Sequence, residues 1–174
     1  KALTTDNPEV YFKLIEECGA LSQICPVSQL NTSYLSKAIK TQTDPNTRWA
    51  CLVASNVLLK DINNSFNVPK EYKETSEVCS LIIAFKKLDS INAKDIIELA
   101  DKTDIYRKED RFLKAEKISN FCIENNSNQN LNWNEVVKLI NDIKASSELK
   151  EGKLIAEKLR EDRLNAIQHY LSNS

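Results

Sequence analysis

A single imidazole, His169, and five thiols at Cys18, Cys25, Cys51, Cys79 and Cys122 are the soft metal ligands of this 174-residue chain. One histidine cannot assemble a His-rich centre, and no two cysteines form a C-x-x-C pair, so no metal site is expected. His169 reads as a surface residue near a helix C-terminus. The best carboxylate pair is Asp101 with Asp104, which can share a helix face. Lys102, Arg107 and Lys108 lie close enough to neutralise both at i+3/i+4, and that favours ion pairing over a metal site. There is no Gly-rich phosphate loop and no strand carrying paired carboxylates. No catalytic residue is therefore assigned within the chain.

The remaining chemistry is cationic. Lys108, Arg111, Lys114 and Lys117 recur every third residue as a slowly drifting basic stripe beside the apolar Phe112, Ala115, Ile118 and Cys122. Such a stripe can follow a phosphate backbone. Glu109, Asp110 and Glu116 are interleaved, which favours a solvated mixed-charge face over that reading. Gly152, flanked by Lys150 and Lys153, stands at a helix start, where free N–H groups and the positive dipole end attract phosphate. The plain alternative is a loop-to-helix junction. Arg160 follows on the same helix. Arg163 interrupts the apolar stripe of Ile155, Leu159, Ala166 and Tyr170, so it must snorkel, pair with an acid or reach a phosphate. Trp49 and Trp133 read as core residues in preference to base-stacking platforms.

The elements that position these residues are helical. Two Gly and four Pro are too few for a protein rich in turns and strands, and no window alternates as a half-buried strand does. An all-α fold of about seven or eight helices is expected. Pro8–Cys18 has Asn7 as cap, Val10, Leu14 and Cys18 on one face with Phe12 and Ile15 beside them, and Gly19 as left-handed stop. A short turn follows at Leu21–Cys25, then a helix at Tyr34–Lys40 and a turn at Asp44-Pro45-Asn46. Arg48–Ile62, apolar nearly all round, reads as one central helix. Asn67-Val68-Pro69 opens a helix to about Leu88, and Asn92 caps Ala93–Arg107 with Ile91 and Ile96 as a hydrophobic staple. Lys108–Glu124 comes next, then a polar loop from Asn125 to Leu131. Asn132 caps Trp133–Lys144, and a last helix runs from about Gly152 to Leu171.

Charged residues make up 28% and the net charge is −1, so any nucleic-acid surface must be a local patch. The odd number of unpaired cysteines predicts a reducing, cytosolic setting. Neither a membrane-spanning run nor a signal-peptide pattern is found. The chain begins at Lys1 and contains no Met, which predicts the back half of something longer or a trimmed piece.

Several blocks resemble one family. Asp6 to Leu21, DNPEVYFKLIEECGAL, is similar to the segment after the catalytic core of bacterial class II CCA-adding tRNA nucleotidyltransferases, the poly(A) polymerase-like family. Arg48-Trp49-Ala50-Cys51-Leu52 resembles its Arg-Phe-Ala-x-Leu helix. Asp101 to Lys108, with Arg111-Phe112, resembles its Asp-x-x-Asp-Ala-aromatic-Arg-basic block. Leu149-Lys150-Glu151-Gly152, with Ile155, Leu159 and Arg163, looks like its tail helix. The resemblance implies the end of a neck at 1–26, a helical body at 27–125 and tail helices at 126–174. It further implies that Mg²⁺ and CTP or ATP belong to a head domain before Lys1. Many relatives add an HD-type phosphohydrolase in the body, and here Ala54 and Ser55 stand where its His-Asp pair would be, so that activity is expected to be lost.

The resemblance implies a region that binds the acceptor and TΨC arm of tRNA through Lys108, Arg111, Lys114, Lys150, Gly152, Lys153, Arg160 and Arg163, with a weak homodimer as a further expectation. Two other readings stand beside it. One is a non-catalytic helical protein-interaction module derived from an HD-type fold. The other is the same region of a poly(A) polymerase.

Overall fold

In a computed structural model, the structure describes residues 1–41, 43–123, 131–144 and 152–173. Among them are ten α-helices, a short 3-10 turn at Ala2–Thr4 and no strand. The all-α expectation is met. The helices are α1 (Pro8–Glu17), α2 (Leu21–Ile24), α3 (Thr32–Lys40), α4 (Pro45–Val53), α5 (Leu59–Ser65), α6 (Lys70–Lys86), α7 (Ala93–Thr103), α8 (Glu109–Ser119), α9 (Trp133–Asp142) and α10 (Gly152–Ser172). The expected Asn125–Leu131 loop lies outside the described residues apart from Leu131.

The helix ends follow local chemistry. Asn92 Oδ1 accepts from the N–H groups of Lys94 and Asp95, and Asp95 returns a bond to the Asn92 N–H, closing a capping box on α7. Asn132 accepts from the Glu135 N–H at the head of α9. Gly19 takes the positive φ, 73°, that its position required. Asn7, by contrast, makes no side-chain cap bond.

Two expected boundaries change. The Asp44 turn is the cap of α4: its carboxylate accepts from the Asn46 and Thr47 N–H groups, and Pro45 occupies the first helical position. The single helix over Arg48–Ile62 is two. Asn56 Oδ1 accepts from the Leu58 N–H at 2.9 Å, an Asx turn that draws the backbone out of the helical ladder between α4 and α5. That break leaves Val57 97% exposed.

The chain forms two compact units, Lys1–Ala84 with Lys114–Asn126, and Phe85–Leu113 with Ser127–Ser174. Helices α6 and α8 therefore contribute residues to both. In the first unit α3 packs on α4 and α1, around Phe12, Leu21, Leu35, Trp49, Leu52, Val53 and Ile62. Phe66 makes edge contacts with both Phe12 and Trp49. Trp49 Nε1 donates to Asn63 Oδ1 at 2.8 Å, and Asn63 Nδ2 donates to Ser76 Oγ, so the buried amide is held at both ends. Of the apolar residues of α1, Phe12 and Ile15 are buried, whereas Val10, Leu14 and Cys18 are exposed.

In the second unit α10 packs on α7 and α9. Trp133, buried as expected, sits between Phe85 and Phe112 at ring separations of 5.5 and 5.0 Å. No helix of the described residues is long and apolar enough to cross a membrane.

Candidate nucleic-acid interface

Most of the cations singled out by sequence belong to the second unit, and the end of α7 organises them. Helix α7 stops at Thr103 because Asp104 adopts a left-handed conformation, φ 54°, a geometry that Asp tolerates better than most residues. The expected continuation to Arg107 is thereby cut short, and Asp101 and Asp104 do not lie on one helix. They serve different partners. Asp104 accepts from Arg107 Nε at 2.9 Å, while Asp101 accepts from the Tyr106 hydroxyl at 2.7 Å and from Arg160 Nε at 3.3 Å. The Asp104–Arg107 pair was among those the sequence suggested, whereas the partners of Asp101 come from the turn and from α10.

Among the described residues Arg163 meets no acid; it meets an aromatic ring and a backbone carbonyl. Its guanidinium lies 4.0 Å from the centre of the Tyr106 ring, and its Nε donates to the Ile140 carbonyl near the end of α9 at 3.2 Å. Tyr106 is the organiser that sequence reasoning overlooked. It takes Asp101 at its hydroxyl and Arg163 at its face, bridging α7 to α10. Burial, then the hydrogen bond to Asp101, pushes its phenol well above the ordinary value, so it remains a donor across the physiological range. Its only sequence signal was a place in the block Asp101 to Lys108.

Arg111 Nη2 donates to the Thr103 carbonyl at 3.0 Å, covering the end of α7. Lys108 is exposed beside it. Together with Tyr106, Arg107, Glu109 and Asp110 they line a shallow cavity of about 590 Å³ at the start of α8. The Arg107 hydrogen bond holds the Asp104 carboxyl below the usual range and raises the Arg107 guanidinium in turn. Exposed pairs of this kind contribute little to stability.

Helix α10 starts at Gly152 as expected, with no acidic residue in its first turn. Lys153 is 87% exposed and 4.0 Å from Glu157. Lys150 lies outside the described residues. Lys158, which sequence reasoning passed over, is held by Glu161 and Asp162 at 3.1 Å each, and these carboxylates raise its ammonium above the ordinary value.

Lys114 belongs to the first unit, where its ammonium lies 3.4 Å from Asp44 and 4.0 Å from Glu71. The stripe along α8 is thus divided: Lys108 and Arg111 belong to the second unit, Lys114 and Lys117 to the first. At the place of the expected lost metal pair, Ala54 is buried without a donor atom and Ser55 Oγ accepts from Asn31 Nδ2 at 2.7 Å. No cluster of three or more His, Cys, Asp or Glu suited to a metal ion occurs among the described residues.

Along 98% of its length the chain is similar to a CCA-adding enzyme of Pseudomonas putida, at 24% identity over 183 residues that make up 50% of that protein. A CCA-adding enzyme of Coxiella burnetii matches 99% of the chain at 24% identity, over 48% of its own length. A multifunctional CCA protein of Pseudomonas putida matches 64% of the chain at 29% identity. The chain thus spans about half the length of the curated relatives it matches. No family profile and no solved structure matches it. The similarity supports the C-terminal region of a CCA-adding enzyme, as the sequence blocks implied.

Proposed function

We propose that this chain is the tRNA-binding C-terminal region of a CCA-adding tRNA nucleotidyltransferase, working in the cytosol. It holds the acceptor and TΨC arm so that the 3′ end reaches a nucleotidyl-transferring head domain outside these 174 residues. Mg²⁺ and CTP or ATP belong to that head domain. The observation that carries this reading is the similarity of nearly the whole chain to half-length stretches of proteins named CCA-adding enzymes.

The second unit supplies chemistry suited to the task. Lys108 and Lys153 are exposed, and Arg160 is exposed beside the Asp101 carboxylate. The start of α10 offers N–H groups and a positive dipole end with no acid in its first turn. Arg111 and Arg163 hold these elements in register through the Thr103 and Ile140 carbonyls. Lys114, already engaged by Asp44 and Glu71, is the weakest contributor to the grip. Contacts of this type recognise phosphate and A-form shape without reading sequence, as a substrate set of all tRNAs requires.

The test is fluorescence anisotropy with several end-labelled tRNAs at increasing salt. Similar affinities for all of them, falling linearly on a logarithmic salt axis, are expected. Equal affinity for a random single strand, or no salt dependence, removes the reading.

A further inference from the structure

Asp101 presents two carboxylate oxygens, and each is taken by one donor. Oδ1 accepts from the Tyr106 hydroxyl at 2.7 Å, and Oδ2 accepts from Arg160 Nε at 3.3 Å. Lys102, the neighbouring cation on α7, is engaged instead by Glu98 at 2.6 Å. Tyr106 is fixed in its turn. The Arg163 guanidinium lies over its ring, 4.0 Å from the centre, and Arg163 Nε is tied to the Ile140 carbonyl. Burial and the bond to Asp101 raise the Tyr106 phenol, so the hydroxyl keeps its proton for the carboxylate. A chain of contacts thus runs from the Tyr106 hydroxyl through Asp101 to Arg160, all within the second unit.

Only the Nε of Arg160 is held. A guanidinium carries five N–H donors, so the four on its terminal nitrogens remain. Among the described residues none of these four makes a hydrogen bond, and the side chain is 59% exposed. A guanidinium tied through Nε keeps its terminal edge open, and the paired donors of that edge match two oxygens of a phosphate. A long flexible side chain ordinarily loses rotamer freedom when it meets a ligand. Asp101 restrains this one beforehand, which lowers the cost of the contact.

We infer that Tyr106 is a positioning residue for phosphate recognition: through Asp101 it aims the terminal edge of Arg160 at a backbone phosphate of the bound RNA. The inference rests on the proposed tRNA-binding role. Its signature runs against simple electrostatics. Deleting a negative charge beside an RNA-binding cation ordinarily tightens RNA binding. Loss of the Asp101 charge should weaken it.

The test is the tRNA affinity of the 174-residue chain and its variants, read by fluorescence anisotropy across a salt titration. Tyr106→Phe removes one hydroxyl, keeps the ring beside Arg163 and changes no charge. It should weaken binding about three- to tenfold, the range expected when one long side chain must be ordered on binding. Asp101→Asn, in which one carboxamide oxygen replaces two carboxylate oxygens, should weaken binding to a similar extent. Arg160→Ala should weaken it at least as much and flatten the salt slope by roughly one unit. In the Arg160→Ala background Tyr106→Phe should have no further effect, whereas a general loosening of the fold would persist there. Tighter binding by Asp101→Asn would overturn the inference. So would an equal loss from Tyr106→Phe with and without Arg160. Either result leaves the tRNA reading in place, because the unaltered chain still binds. Absence of tRNA binding by the unaltered chain removes the proposed function and this inference with it.

Discussion

The guanidinium of Arg163 lies over the Tyr106 ring, 4.0 Å from its centre, while its Nε–H reaches the Ile140 carbonyl near the end of α9. A charged residue in the middle of an apolar stripe is thus accounted for by an aromatic face from the turn after α7 and a carbonyl of α9. The pair joins α10 to α7 and α9 at one point.

Arg163→Ala should destabilise the protein by about 1.5–3 kcal/mol, from the lost cation–π contact and the charged hydrogen bond. Arg163→Lys should recover only part of this, because a compact ammonium cannot reach both the ring and the Ile140 carbonyl as the forked guanidinium does. Urea unfolding measures both. A change below about 0.3 kcal/mol for Arg163→Ala would show that the contact is incidental.

The buried Asn63 is held between the Trp49 indole and the Ser76 hydroxyl. Asn63→Leu strands both partners away from water and should cost about 2–4 kcal/mol. The conservative Asn63→Asp should also be costly, since it exchanges a donor for an acceptor or a buried charge. Melting curves decide; wild-type stability in either variant contradicts the network.

Asp44 supplies a pH dependence whose sign can be worked out. Burial pushes its carboxyl up, but the Thr47 hydroxyl and N–H and the Lys114 ammonium outweigh this and hold it below the ordinary 3.8. A depressed carboxyl stabilises the fold above its unfolded pKa, and that contribution is lost as pH falls through the folded value. Asp44→Ala should therefore cost about 0.5–2 kcal/mol at neutral pH through the lost cap. Its deficit should shrink below about pH 4. A deficit independent of pH would assign the whole effect to geometry.

Gly152 separates packing from binding. Nothing stands within 4 Å of a Cβ added there, and its φ lies outside the left-handed region. Gly152→Ala should leave stability unchanged or slightly raised. Under the proposed function it should weaken tRNA binding, because the methyl group holds a phosphate off the helix start. Unaltered tRNA affinity removes the start of α10 from the contact surface.

Lys150→Ala with Lys153→Ala should weaken different tRNAs about equally and flatten the salt slope by roughly one unit per lost contact. Lys158→Ala is the matched control, since that ammonium is already engaged by Glu161 and Asp162. If the control and the double variant weaken binding alike, the effect is one of general charge.

The same reading predicts that the 174-residue chain adds no AMP to tRNA lacking its terminal A when supplied with labelled ATP and Mg²⁺. Incorporation above background would place the chemistry inside this chain.

Much of the fold was legible because helix punctuation is local. Asn92, Asn132 and Gly19 act on backbone groups within a few residues, so their side-chain chemistry and permitted φ fix where helices begin and end whatever surrounds them. The scarcity of Gly and Pro set the all-α class in the same way. Burial and charge pairing are long-range, and there the sequence stayed silent. Periodicity could not choose between the two apolar sectors of α1, because it records that a face is apolar without recording what covers it. The break at Asn56 was hidden by the apolar residues on either side. Lys114 belonged to a regular basic stripe until the fold brought Asp44, 70 residues away, within 3.4 Å of its ammonium. Tyr106 and Arg163 were each visible as residues, but their meeting needed a left-handed turn at Asp104 and the packing of α10 on α7, and only the tertiary structure brings these together.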